Sequence, residues 1–147
     1  MSIRRPLLAF AVATPLALAT ACSGDGDDGG LTAEKVVERL AEHLGEEEIG
    51  EPRDSTATCS NEAAGGDPQD GDCAQLIVTG QVSVYEFPTA ELSREWVNRF
   101  GGVDEEDWRQ AGRFAVVWST PEQLDVGEPR RDEIAGLVAE WAAETPS

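Results

Sequence analysis

The 147-residue chain is strongly acidic, with 29 Asp and Glu against 11 Lys and Arg and a formal net charge of −18. Phosphate backbones need a basic footprint, so this charge argues against a nucleic-acid partner. Hydrophobic residues make up 40% of the chain, which is enough for a packed core, and we do not expect disorder throughout.

Residues 1–21 have the layout of an export signal. Arg4 and Arg5 give a positively charged start, and an apolar run follows from residue 7 to residue 21. The 15 residues of that run would span about 22 Å as a helix, which is shorter than the ~30 Å hydrocarbon core of a bilayer. The pattern therefore predicts a signal peptide rather than a membrane-spanning helix. The Arg4-Arg5 pair leaves the twin-arginine and the general secretory routes both open.

The end of the apolar run, Leu18-Ala19-Thr20-Ala21-Cys22, resembles a bacterial lipobox. The resemblance implies that Cys22 is diacylglyceryl-modified, that the chain is cut just before it, and that the lipidated cysteine becomes the mature terminus. Ala19 departs from the usual pattern, which carries Leu, Val or Ile at that place. Ala19-Thr20-Ala21 also fits the A-x-A pattern of ordinary secretion, which would release a soluble protein that begins at Cys22.

A cut at this point defines three segments. It removes residues 1–21 with two basic groups and no acids, and leaves 126 residues with a side-chain charge of −20. Residues 22–30 then form a lipid anchor and a flexible acidic tether, which reaches about 15–17 Å as a random coil. Residues 31–147 form one folded α+β domain, expected on the outer face of the cytoplasmic membrane.

The three cysteines, Cys22, Cys59 and Cys73, support the lipid interpretation. An exported chain occupies a compartment that permits disulfides, so an odd number leaves one thiol to explain. Acylation would remove Cys22, and we then expect Cys59 and Cys73 to pair. The alternative is a metal or redox pair, but a separation of 14 residues fits neither C-x-x-C nor a zinc knuckle.

The apolar periodicity predicts an α+β domain in the order α-β-β-β-α-β-α. Strand, helix and strand across residues 81–119 suggest one right-handed β-α-β crossover. We expect a mixed four-stranded sheet with the helices on one face, which is a two-layer sandwich. The predicted elements, in chain order, are a helix over 32–44, strands over 56–60, 74–79 and 81–87, a helix over 89–100, a strand over 113–119, a helical turn at 120–123 with Gln123 in a capping box, and a helix over 130–143.

Little in the sequence indicates catalysis or a metal site. His43 is the only histidine, and its place late in the first predicted helix favours a surface or boundary side chain over a catalytic one. Acids cluster at 67–72 and 104–107, which raises calcium as a ligand. An EF-hand loop that starts at Asp67 fails, because Gln69 and Gly71 stand where it needs Asp, Asn or Ser. We therefore predict no enzyme activity, no cofactor and no metal.

The tryptophans divide into two groups. Trp96, Trp118 and Trp141 fall on apolar stripes or strands, and we expect them to pack in the core. Trp108 follows an acidic stretch after Gly102. It is predicted either to cap the edge of the core or to be an exposed anchor for a protein partner, since interfaces favour Trp.

Composition completes the interpretation. Arginine outnumbers lysine ten to one, and the layout is similar to that of small uncharacterised actinobacterial lipoproteins, a resemblance that implies no particular activity. We expect a lipid-anchored, non-enzymatic extracytoplasmic domain that presents a sheet face or acidic loops to an envelope protein. The alternative is a weak divalent-cation or small-ligand binder in the cell wall. The sequence leaves the partner, the ligand and the oligomeric state open.

Overall fold

The computed structural model describes residues 30–145, which form an α+β fold as predicted. The predicted signal peptide, Cys22 and most of the tether lie outside the described residues. The elements are α1 (Ala33–Leu44), α2 (Glu46–Ile49), β1 (Arg53–Asp54), β2 (Gln75–Val78), β3 (Ser83–Glu86), α3 (Ala90–Phe100), β4 (Asp107–Ala111), β5 (Phe114–Trp118), α4 (Pro121–Leu124) and α5 (Glu128–Glu144).

The described strands form one five-stranded sheet in the order β1-β2-β3-β5-β4, and every pair in it is antiparallel. The predicted mixed sheet of four strands is therefore wrong. β3 and β5 are neighbours, but Ser83 pairs with Val117 and Glu86 with Phe114, so the two strands run in opposite directions. An additional strand, β4, reverses the chain between α3 and β5, and this reversal removes the parallel crossover.

β4 is the strand that the hydrophobic pattern does not reveal. Its sequence, Asp-Trp-Arg-Gln-Ala, has only two apolar side chains and comes directly after a run of acids. Backbone pairing with β5 holds it, from Asp107 opposite Trp118 to Ala111 opposite Phe114. The turn between the two strands contains Gly112 with a φ of 63°, a left-handed conformation that glycine adopts without a Cβ penalty.

The segment before β2 also differs from the prediction. A strand was expected over residues 56–60, but Thr56–Thr58 form a 3-10 turn, and the short edge strand is β1. The carboxylate of Asp54 accepts hydrogen bonds from the backbone N–H of Thr56 at 2.8 Å and from its hydroxyl at 2.6 Å. Local bonds of this kind compete with strand pairing, which explains why β1 ends where it does.

Helices cover both faces of the sheet. α1 and α5 pack on one face, and α3 covers the other together with the Cys59–Cys73 disulfide. The two-layer prediction, with the helices on one face, is therefore wrong. The physical reason lies in β5, which is buried at every position, so that the side chains pointing to either face need cover.

The long helices lie within two residues of the predicted ones, and their caps explain where they begin. Thr32 caps α1 and Thr89 caps α3, each through its side-chain oxygen. The capping box predicted at Thr120 and Gln123 is present. Gln123 is fully buried and donates to the carbonyl of Thr79 at 2.8 Å, which ties α4 to the turn between β2 and β3.

An ion pair holds the first described residues against the sheet. Glu86 accepts a hydrogen bond from the backbone N–H of Ala33 at 2.9 Å and pairs with Arg113 at 2.9 Å. Arg113 also donates to the carbonyl of Leu31 at 2.5 Å. We name this group, formed by Leu31, Ala33, Glu86 and Arg113, the entry clamp. It joins residues 31–33 to β3 and to the start of β5.

Candidate partner-binding surfaces

Five aromatic side chains meet on the α3 face of the sheet, and we name them the aromatic surface: Tyr85, Phe87, Trp96, Phe100 and Trp108. Their ring centroids lie 5.0–6.2 Å from those of their neighbours. Such separations are typical of favourable aromatic pairs. The group therefore packs as one unit.

The register of the sheet brings these rings together. Tyr85 on β3 lies opposite Ala115, and Trp108 on β4 lies opposite Val117. β5 separates the two strands, and its small side chains on this face leave room above it. The rings of Tyr85 and Trp108 consequently meet across β5, with centroids 5.0 Å apart.

α3 supplies the other side of the aromatic surface. Trp96 and Phe100 stand four residues apart on the helix, with ring centroids 5.2 Å from one another, as expected for neighbours on one helix face. Trp96 and Trp141 are only partly buried, in contrast to the fully buried Trp118. The prediction of core packing therefore holds fully for Trp118, while the other two lie at the edges of the core.

The structure gives Trp108 a packing role on β4, rather than a place in the acidic loop. Its indole N–H donates to the carboxylate of Glu106 at 2.7 Å. Burial, with the nearby charge of Glu106, raises the pKa of the Tyr85 hydroxyl. Trp108 is half-buried, and its contact with a partner remains a prediction.

The turn that links α3 to β4 borders this surface and exposes apolar area. Val103 is 47% exposed and is the one exposed large hydrophobic side chain among the described residues. Its backbone N–H donates a hydrogen bond to the carbonyl of Phe100 at 3.2 Å. Asp104 and Glu105 adopt positive φ values of 53° and 66°, a conformation uncommon for residues other than glycine. The turn therefore exposes Val103 three residues after Phe100 of the aromatic surface.

The acids at the end of this turn are engaged within the protein. Asp107 pairs with Arg109 at 2.7 Å and with Arg131 at 3.3 Å. Partial burial raises the pKa of Asp107, but the hydrogen bonds from Arg109 and Arg131 outweigh it and hold the pKa below its usual value. Both guanidinium groups lie over the ring of Trp118, at 5.2 and 5.6 Å. The network fastens β4 to α5.

Asp72, from the acidic cluster at 67–72, forms hydrogen bonds within the disulfide segment. Cys59 and Cys73 form a disulfide, with Cα atoms 5.5 Å apart. Inside that ring, Asp72 accepts hydrogen bonds from the backbone N–H of Asn61 at 2.9 Å, from its side-chain amide at 2.6 Å, and from the N–H of Gln69 at 3.1 Å. Within residues 30–145, no three acidic, His or Cys side chains are grouped so as to hold a metal ion.

A groove of about 730 Å³ lies on the other side of the molecule, between α1, α2 and the β1 edge of the sheet. Val37, Ala41 and Ile77 also line it, although Val37 and Ile77 are buried in the core. We name it the acidic groove, because the six ionisable side chains among its described lining residues are all carboxylates: Glu34, Glu38, Glu42, Glu46, Glu51 and Asp54.

His43 lies exposed in the last turn of α1. It lines a shallow depression of about 340 Å³ with Arg39, Trp141 and two glutamates. The guanidinium of Arg39 lies 5.9 Å from the ring of Trp141, so the depression is a seam between α1 and α5.

No protein-family model, curated protein or solved structure matches this chain. Among the helices of residues 30–145, none combines the length and the apolar content that crossing a bilayer requires.

Proposed function

We propose that this protein is a lipid-anchored extracytoplasmic domain, without catalytic activity, that binds a protein partner at the cell envelope. The observation that carries the proposal is the aromatic surface, in which four rings are partly buried and Phe87 is fully buried, and which the exposed Val103 follows closely in the chain. Aromatic residues are enriched at protein interfaces, where large side chains provide most of the binding energy. Trp108 is the residue that we expect at the centre of the contact.

The attachment to the membrane is proposed from the sequence at Cys22. Anionic lipid headgroups would repel a domain with a side-chain charge of −20, so the acyl chains must hold the protein at the membrane and the tether must keep it clear. The entry clamp supports this arrangement, because it fixes the point where the tether meets the sheet.

The alternative function, a weak divalent-cation or small-ligand binder in the cell wall, has less support. Asp72 and Asp107 belong to the two sequence clusters that suggested calcium, and both already accept hydrogen bonds from protein groups. A calcium ion would have to replace those bonds. Calorimetric titration with millimolar calcium, giving a saturable heat and a raised Tm, would favour the alternative.

Photo-crosslinking in intact cells tests the proposal. A photoreactive amino acid replaces Val103, which is exposed and therefore tolerant of substitution. The matched control carries the same amino acid at Ala139, which is exposed on α5 at the opposite face. We expect a discrete adduct of higher mass from position 103 and none from position 139. Cys22→Ser should abolish the adduct, because the unanchored protein leaves the membrane.

Two results would contradict the proposal. Identical adduct patterns from positions 103 and 139 would show that the aromatic surface has no preferred partner. An undiminished adduct in the Cys22→Ser variant would show that binding needs no lipid anchor.

A further inference from the structure

Among the described strands, β4 lies at one edge of the sheet, with β5 as its neighbour. In an antiparallel ladder, alternate residues turn their N–H and C=O groups to the neighbouring strand, and the residues between them turn theirs away. The carbonyl of Arg113 accepts a hydrogen bond from the N–H of Phe87, next to β3. The next residue, Phe114, therefore faces β4, where it lies opposite Ala111.

The same alternation leaves two residues of β4 with outward backbone groups. Arg109 and Asp107 stand two and four residues before Ala111, and they bond to β5 in the same way. Trp108 and Gln110 turn their N–H and C=O groups to the outer side. Within residues 30–145, no turn, cap or side chain engages these four groups. Gln110 is exposed and Trp108 is half-buried, so the outer side of β4 carries unpaired donors and acceptors.

The opposite edge of the sheet, at β1, is protected against pairing. β1 has two residues, and the N–H of Ser55 bonds to the carbonyl of Leu76, so Pro52 and Asp54 are the residues that face outward. Short length, a charge and a proline without an N–H are the usual means by which edges avoid pairing. β4 has five residues and no proline, and its charged side chains are paired with one another and with α5.

The β4 edge fits an extended chain, because a strand added to a sheet edge pairs with the outward N–H and C=O groups. In an antiparallel segment, one residue would lie opposite Gln110 and the second residue after it opposite Trp108. Cross-strand neighbours share a face, so the side chain opposite Trp108 would lie beside the indole on the α3 face. Aromatic and β-branched residues are favoured at such a position.

The charge of the protein selects among extended chains. A net charge of −18 attracts a basic segment and opposes the approach of a second copy of the chain. The N–H and C=O of Glu106 already bond within the turn before β4, and Gly112 begins the hairpin turn at the other end. The added strand is therefore short.

We propose that the β4 edge binds a short, extended segment of the partner protein as a sixth strand, with a β-branched or aromatic residue beside Trp108 and basic residues at the ends of the segment. This inference rests on the proposed function, because it specifies how the partner reaches Trp108. It concerns backbone pairing, which can be tested on the purified full chain.

The first test uses a labelled peptide, Lys-Thr-Val-Thr-Val-Thr-Lys, whose valines have the spacing of Trp108 and Gln110. We expect saturable binding in fluorescence anisotropy. With peptide at about ten times Kd, NMR should show the amide hydrogens of Trp108 and Gln110 exchanging about tenfold more slowly. The amide of Arg109 already bonds to β5 and should change by less than about twofold. No saturable binding, or equal slowing at all three amides, would overturn the proposal.

N-methylation of the peptide separates backbone pairing from side-chain contact in the unmodified protein. A methyl group on the nitrogen of either valine removes a hydrogen bond to β4, and it should lower the affinity at least about tenfold. On the nitrogen of the threonine between them, which points away from β4, it should lower the affinity by less than about threefold. Equal losses at the three nitrogens would overturn strand pairing.

A proline in β4 tests the same pairing from the side of the protein. Gln110→Pro removes an outward N–H and leaves the ladder to β5 intact, so the affinity should fall at least about tenfold. The matched control, Glu46→Pro, places a proline at the exposed first position of α2, where a helix needs no N–H, and its affinity should stay within about twofold. Far-UV circular dichroism verifies the fold of both variants. Undiminished binding by folded Gln110→Pro would overturn the proposal.

Crosslinking in cells distinguishes failure of this inference from failure of the proposed function. With the photoreactive amino acid at position 103, Gln110→Pro should lower the adduct at least about fivefold, and Glu46→Pro should leave it unchanged. An undiminished adduct in Gln110→Pro would overturn strand addition while the proposed function stands. If position 103 gives no adduct in any variant, the proposed function fails, and the peptide results decide whether the edge binds an extended chain.

A second copy of the chain is the competing occupant of the β4 edge. Self-pairing would slow the exchange of the Trp108 and Gln110 amides as the protein concentration rises without peptide, and sedimentation would show a dimer. That result would overturn a partner segment, and we expect a monomer with unchanged exchange.

Discussion

The entry clamp allows a stability prediction worked directly from the structure. Arg113→Met leaves the carboxylate of Glu86, whose side chain is 9% exposed, with the N–H of Ala33 as its remaining clamp partner. Loss of one member of a fully buried ion pair costs about 3–5 kcal/mol. The side chain of Arg113 is 24% exposed, so water compensates for part of that cost. We expect the free energy of unfolding to fall by about 2–3 kcal/mol, with Tm lower by about 8–12 °C.

A double variant separates the charge effect from simple loss of contact. Glu86→Gln combined with Arg113→Met keeps an acceptor for the N–H of Ala33 and removes the unpaired charge, so we expect a loss of only about 1 kcal/mol. Urea unfolding followed by tryptophan fluorescence measures both values, and hydrogen exchange at Ala33 reports local opening. A double variant as unstable as Arg113→Met, or an Arg113→Met change below about 0.5 kcal/mol, would refute the reasoning.

Three other predictions concern the remaining contacts. Cys59→Ala with Cys73→Ala should lower the free energy of unfolding by about 3 kcal/mol, the loop-entropy estimate for a ring of ~15 residues, and unchanged urea stability would contradict it. Trp108→Ala should cost about 1–2 kcal/mol, less than for a fully buried tryptophan, and Trp108→Phe should cost less than about 1 kcal/mol; equal losses in chemical denaturation would argue against aromatic packing. The lowered pKa of Asp107 contributes stability that is present above the ordinary aspartate pKa of about 3.9 and is lost as the pH falls through the folded value. Thermal unfolding between pH 6 and pH 2 should therefore show a smaller acid-induced loss in Asp107→Asn, and an identical pH profile would count against the pairing with Arg109.

The helices other than α2 could be predicted from the sequence because their evidence is local. Caps at Thr32, Thr89 and Thr120 and apolar stripes at helical spacing need no knowledge of the rest of the fold. β4 could not be recognised in this way, since its pairing with β5 is a tertiary contact and its side chains are mostly polar. Gly112 was the available clue to the hairpin. A glycine just before the predicted strand over 113–119 can form a tight turn, and a tight turn implies a second strand before it.

The placement of helices on both faces of the sheet could have been predicted from the sequence. Phe114–Trp118 are apolar without interruption, which is typical of a strand covered on both faces. That pattern contradicts helices on a single face. The acidic groove, in contrast, depends on how α1, α2 and β1 meet, and no spacing of acids along the chain shows that the six carboxylates share one concavity.

The mass of the protein extracted intact from the membranes of its own cells tests the central claim most directly. The account predicts a chain that begins at Cys22 and carries a mass increase for a diacylglyceryl group, together with a loss of two hydrogens for the disulfide. Recovery of a chain that retains residues 1–21, or of an unmodified chain in the aqueous fraction, would contradict it.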